Sequence, residues 1–104
     1  MAKQMIYTAR NIKADEAYRI GLVNAVYPLS DLYAAAEKLA GQIAGNAPIA
    51  VRAAKKAINE GLDLPMDEAV VVEEKAFGSC FETADQQEGM GAFLEKRKPA
   101  FGQK

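Results

Sequence analysis

The chain contains no histidine and no tryptophan. The first absence excludes a Ser–His–Asp triad, a histidine general base and a histidine-bearing zinc site, and with no clustered acids no metal site is expected. Any chemistry would fall to carboxylates, lysines, tyrosines or the single cysteine, Cys80. One cysteine closes no internal disulfide and fits a reducing compartment. An excess of charge is lacking too: 13 Lys and Arg stand against 14 Asp and Glu, a net charge of −1, so no global field recruits nucleic acid or an acidic membrane surface. Any anion site must be local. No segment approaches the ~18 consecutive apolar residues of a membrane span, and the first seven residues lack the apolar run of a secretory signal. A soluble cytoplasmic protein is the simplest reading.

What the chain does have is 104 residues, 50% of them apolar, enough for one domain that buries roughly 60–70% of its unfolded-chain surface. Ala2 to Tyr7 reads as the end of a helix that begins in mid-element. Ala14 to Gly21 carries acids in its first turn and a glycine after its last, the arrangement of a short capped helix. Leu22 to Tyr27 alternates in part and stops at Pro28, which favours a short extended segment with no second strand to pair with. Ser30 is a candidate N-cap for an amphipathic helix through Leu32, Ala35, Ala36, Leu39, Ala40 and Ile43, ended by Gly45-Asn46. Pro48 opens another helix with a stripe at Ile49, Val51, Ala54, Ile58 and Leu62. A further apolar set runs from Asp67 to Phe81, and a last helix from Thr83 or Ala84 to Leu94 contains Gly89 and Gly91. Each of these two glycines weakens it by about 1 kcal/mol relative to Ala. The sum is a mostly α chain of four to five helices with short connectors.

Few constellations suit chemistry. Glu73 and Glu74 are adjacent, but consecutive helix positions point about 100° apart, so they do not converge on one substrate atom. Asp67, Glu68, Asp85 and Glu88 read as first-turn residues that complement helix dipoles. Cys80, between Phe77 and Phe81, reads as a packed thiol. Arg52, Lys55 and Lys56 form a basic stripe that a solvated helix face explains. The run Lys96-Arg97-Lys98 stands just beyond the last helix, where three cations either complement the dipole or meet an anion, with Phe93 and Phe77 as flat apolar surface for a nucleotide.

Four stretches, Met5 to Arg10, Ala14 to Asn24, Asn46 to Asn59 and Thr83 to Phe101, together resemble the C-terminal part of the enoyl-CoA hydratase (crotonase) family. The most specific is Glu88-Gly-Met followed by Ala92-Phe-Leu-Glu-Lys-Arg-Lys-Pro99; the one departure is Ala9, where the family usually has glycine. The resemblance implies the helical, trimerising region of a crotonase-like fold over residues 1–104, a single region of a larger chain whose spiral catalytic core is absent. The family's two catalytic glutamates lie upstream of the matching stretches, so no catalytic residue is expected here and the isolated chain is expected to be inactive. Carried over by position, Lys96 would contact the 3′-phosphate region of coenzyme A, with Phe77 and Phe93 near the adenine or the acyl tunnel. The implied partners are an acyl-CoA substrate and further copies of the chain, as a trimer or a dimer of trimers, with no separate cofactor. Two alternatives stay open: a freestanding helical self-association module without catalysis, and a family isomerase, dehalogenase or hydrolase.

Overall fold

Six helices follow one another in the computed structural model, which describes residues 1–103: α1 (Ala2–Thr8), α2 (Ala14–Arg19), α3 (Leu29–Ala44), α4 (Pro48–Gly61), α5 (Met66–Cys80) and α6 (Ala84–Leu94). The chain is helical, and no strand occurs among the described residues. Six exceeds the four to five expected, with Ala2–Thr8 counted as a helix of its own. Ala9 closes it in the left-handed conformation, φ 49° and ψ 29°, with its N–H donating to the Ile6 carbonyl. The turn that usually holds glycine is therefore kept, with a methyl group added. No helix is long and apolar enough to cross a membrane. The single region expected over residues 1–104 has its contacts in two compact units, Met1–Lys38 and the remainder from Leu39 onward, with the division inside α3.

In the first unit, α2 ends as its sequence requires. Gly21 takes φ +74° and donates to the Tyr18 carbonyl, and Leu22 N–H donates to Ala17 O at 2.9 Å, the paired bonds of a Schellman cap. Val23 N–H reaches the same Ala17 carbonyl at 3.4 Å, so the segment expected to be extended begins as a continuation of this cap. Leu22 to Tyr27 forms no strand, in keeping with its lack of a partner strand: Leu22 and Val23 belong to the cap, and residues 25–28 follow as neither helix nor strand. Arg10 forks onto Glu16, with Nη2 at 2.7 Å from Oε1, and its hydrogen bonds hold the Glu16 carboxyl below the usual carboxylate range. Ser30 is not the N-cap of α3. The helix begins one residue earlier, the Pro28 carbonyl accepts from Asp31 and Leu32, and the Ser30 hydroxyl instead donates to Asp31 Oδ1 at 2.9 Å. Pro28 lacks an N–H, and just before a first turn none is needed.

In the second unit, α4 and α5 form a hairpin joined by residues 62–65, with Pro48 in the first turn of α4 as expected. Thr83 caps α6: its Oγ1 accepts from Gln86 N–H at 3.2 Å and donates to the Cys80 carbonyl at 2.7 Å. Among the described residues only Ala17, Ala92 and Asp85 are buried. The larger apolar side chains stay open to solvent, Phe77 at 66% and Val70 at 42% exposure, so the helices do not close a core of their own.

Candidate functional site

The C-terminal end of α6 is where charge and backbone geometry concentrate. Glu95 N–H donates to Gly91 O, Lys96 N–H to Phe93 O and Arg97 N–H to Ala92 O, a second Schellman cap. Here the left-handed position belongs to Lys96, φ 54°, rather than to glycine. An L residue in that conformation costs roughly 1–2 kcal/mol, so its surroundings must hold it there.

Two carboxylates of α6 hold the chain that follows Lys96, Glu88 nearest to it and Asp85 further on. Glu88 receives the Arg97 guanidinium in a fork, Nη1 at 2.6 Å and Nη2 at 2.8 Å, and its Oε1 also accepts the Ala100 N–H at 2.8 Å. Asp85, only 3% exposed, accepts the N–H groups of Gly102 at 2.6 Å and Gln103 at 3.1 Å. Later tail residues meet earlier helix residues, so the tail runs back antiparallel along α6. The Phe101 ring lies over Gly89, close enough that an added Cβ would touch its Cε1 in ordinary van der Waals contact at 3.5 Å. The Arg97 hydrogen bonds, then that of Ala100, pull the Glu88 carboxyl down to about 2, and the two glutamates hold the Arg97 proton still more firmly than usual.

The three expected cations therefore divide. Arg97 is committed to Glu88 and, at 2.5 Å, to Glu95. No ion pair joins Lys96 or Lys98 among the described residues, and both are exposed. Phe93, 78% exposed, shares this terminus with Lys96 through the bond from Lys96 N–H to its carbonyl at 3.2 Å. Phe77 stands apart. It lies in an apolar groove of about 560 Å³ between α4 and α5, with Ile58, Leu62, Met66, Val70 and Cys80, and packs edge-to-face on Phe81 at 5.1 Å. Neither Phe93 nor Lys96 lines that groove.

The remaining candidates behave as ordinary surface. Glu74 is exposed, Glu73 reaches the groove rim, and Cys80 is half-buried with its thiol donating to the Ala76 carbonyl. Lys56 pairs with Glu60 at 3.8 Å across one helical turn. No group of three or more metal-ligating side chains gathers among the described residues. Sequence reasoning placed Asp85 and Glu88 only at a helix start and missed their grip on the tail. The signal was available in their three-residue spacing, which puts both on the face that Gly89 leaves open, and in Pro99-Ala-Phe-Gly102 after the helix stop.

This succession of helices is that of the helical region of a crotonase-like fold, and comparison with known proteins agrees. The sequence model of the enoyl-CoA hydratase/isomerase family matches residues 1–104, and the chain belongs to that family. It is 55% identical over 98 residues to a short-chain-enoyl-CoA hydratase of Clostridium acetobutylicum, covering 94% of this chain and 38% of the relative. It is 54% identical over 101 residues to a crotonyl-CoA hydratase of Syntrophomonas wolfei, covering 97% of this chain and 39% of the relative. The crystal structure of an enoyl-CoA hydratase from Bacillus anthracis superposes with a TM-score of 0.96 at 42% identity, over 99% of this chain and 40% of that one. The chain thus spans about two fifths of the length of these relatives.

Proposed function

We propose that this chain is the CoA-contacting and self-associating region of a short-chain enoyl-CoA hydratase, an enzyme that reversibly adds water across the α,β double bond of an enoyl-CoA thioester. In that reaction hydroxyl goes to the β-carbon and a proton to the α-carbon, while hydrogen-bond donors stabilise the enolate oxygen. Nothing in this chain is assigned to those steps, and its proposed contribution is binding and assembly. The names of the relatives support the reaction and the acyl-CoA substrate. The single observation that carries the binding role is the turn at Lys96. A left-handed, non-glycine cap presents this lysine at the end of α6 while the neighbouring Arg97 is already neutralised, leaving a local cation of the kind a phosphate takes. In this reading Phe93 beside it supplies apolar surface for the adenine, and Phe77, in the α4–α5 groove, serves the acyl tunnel or packing. A cytoplasmic setting, a trimer or dimer of trimers, and an enzyme needing no cofactor besides its substrate complete the reading.

In the protein that carries this chain, Lys96→Ala should raise KM for crotonyl-CoA several-fold and leave kcat nearly unchanged, because a contact remote from the reacting bond holds ground state and transition state alike. Equal losses in kcat and kcat/KM would remove Lys96 from the binding role. The open apolar groove also favours a second reading, a helical association module without chemistry, which predicts self-assembly with no affinity for coenzyme A.

A further inference from the structure

We infer that Glu88 is a positioning residue for Lys96. The inference rests on the phosphate-contact reading above. A left-handed turn at a non-glycine residue carries a backbone cost that calls for contacts beyond its two cap bonds. On the C-terminal side of Lys96 the very next residue, Arg97, is forked onto Glu88, and the Ala100 N–H rests on the same carboxylate. One side chain of α6 thus ties both ends of the Arg97 to Ala100 stretch back to the helix from which Lys96 projects. Arg97 is the natural partner for this task, since its planar fork matches both carboxylate oxygens and fixes direction as well as distance. Glu95 reaches only Nε, and without Glu88 it would keep Arg97 near but leave the Ala100 N–H unheld. Asp85 anchors the chain further on, at Gly102 and Gln103, too far along to restrain Lys96 itself.

The sign of the effect separates positioning from plain electrostatics. Glu88→Gln removes a negative charge from the neighbourhood of the proposed phosphate site. If charge alone mattered, phosphate binding would tighten. If Glu88 holds the turn, binding weakens, because Gln cannot accept a charged guanidinium on both atoms of its amide.

The experiment compares affinity for coenzyme A with affinity for its analogue lacking the 3′-phosphate, using the protein expressed at the length its gene encodes. The ratio isolates the phosphate contact. It is measured for the parent, Glu88→Gln, Lys96→Ala and the double variant. The expected result is a fall in the ratio of at least about threefold in Glu88→Gln, from loss of a well-directed charge-assisted contact, with no further fall when Lys96 is already Ala. A ratio unchanged or raised in Glu88→Gln overturns the inference, as does an equal loss in both backgrounds, which a general structural role would produce. A parent ratio near unity removes the phosphate reading and the inference with it; a large parent ratio that Glu88→Gln leaves alone removes only the inference. Should Glu88→Gln lose its thermal unfolding transition, Arg97→Lys reads the same quantity, since it keeps the charge and loses the fork.

Discussion

Three of the four described residues with positive φ show how single positions divide between stability and use. Gly21 meets the requirement of its cap at no steric cost, whereas Ala9 and Lys96 adopt the same region with a Cβ present. Relief of about 1–2 kcal/mol of strain, offset by about 0.4–1 kcal/mol from the freer unfolded chain, leaves a net gain near 0.5–1 kcal/mol for glycine at such a site. Ala9→Gly and Lys96→Gly should each raise stability by about that much in a denaturant titration. Only the second should also weaken coenzyme A binding. A destabilising Ala9→Gly would mean that its turn is not left-handed in solution. The family resemblance marked Ala9 as a departure, but periodicity and composition gave no sign that Lys96 would occupy a left-handed cap. That conformation follows from the tail bonding beyond it.

At the scale of elements, the notable unit is α6 with its returning tail. The helix carries two glycines and an uneven apolar pattern, so propensity alone accounts poorly for it. Thr83 at one end and the Asp85 and Glu88 bonds along one side account for its placement. The Glu88 carboxyl is held at about 2 in the folded chain, against about 4.3 for an ordinary glutamate, because Arg97 and the Ala100 N–H favour its charged form. The folded state therefore binds fewer protons there than the unfolded state. This contribution is complete above about pH 4.3 and is lost as the pH falls through about 2. Hydrogen exchange at the Ala100 amide should accelerate, relative to a freely exposed amide, across that window, while Glu88→Gln should show weak protection with no such acid step. Protection at Ala100 that is the same in both proteins at pH 6 would count against the clamp. The boundaries of α2, α4 and α6 were legible because their caps are written in local chemistry. The start of α3 was not, since Ser30 found a side-chain partner in Asp31 and the first turn was satisfied by the Pro28 carbonyl instead.

For the molecule as a whole, the telling quantity is how little is buried. Ala17 and Ala92 are the only buried apolar residues among those described, while Val70, Met66 and Phe77 line an open groove. In the proposed reading this open apolar surface is where the chain associates. Purified on its own, the chain should sediment as an oligomer, and Phe77→Asp on the groove should shift it toward monomer. A monomer at tens of micromolar protein would contradict the association role. The same preparation should show no measurable hydration of crotonyl-CoA, and turnover by it would place catalytic groups in this chain after all.

The sequence by itself determined the helical class, most helix limits and the family, because apolar spacing, cap residues and a run such as Glu88 to Pro99 are local in the chain. Only the tertiary structure decided what the three cations do. Whether a cation is neutralised depends on a carboxylate nine positions away and on the tail folding back to meet it. Spacing along a helix shows which face Glu88 occupies, but not what returns to that face. The backbone beyond the helix stop makes that choice, and in doing so leaves Arg97 bound and no described ion pair on Lys96.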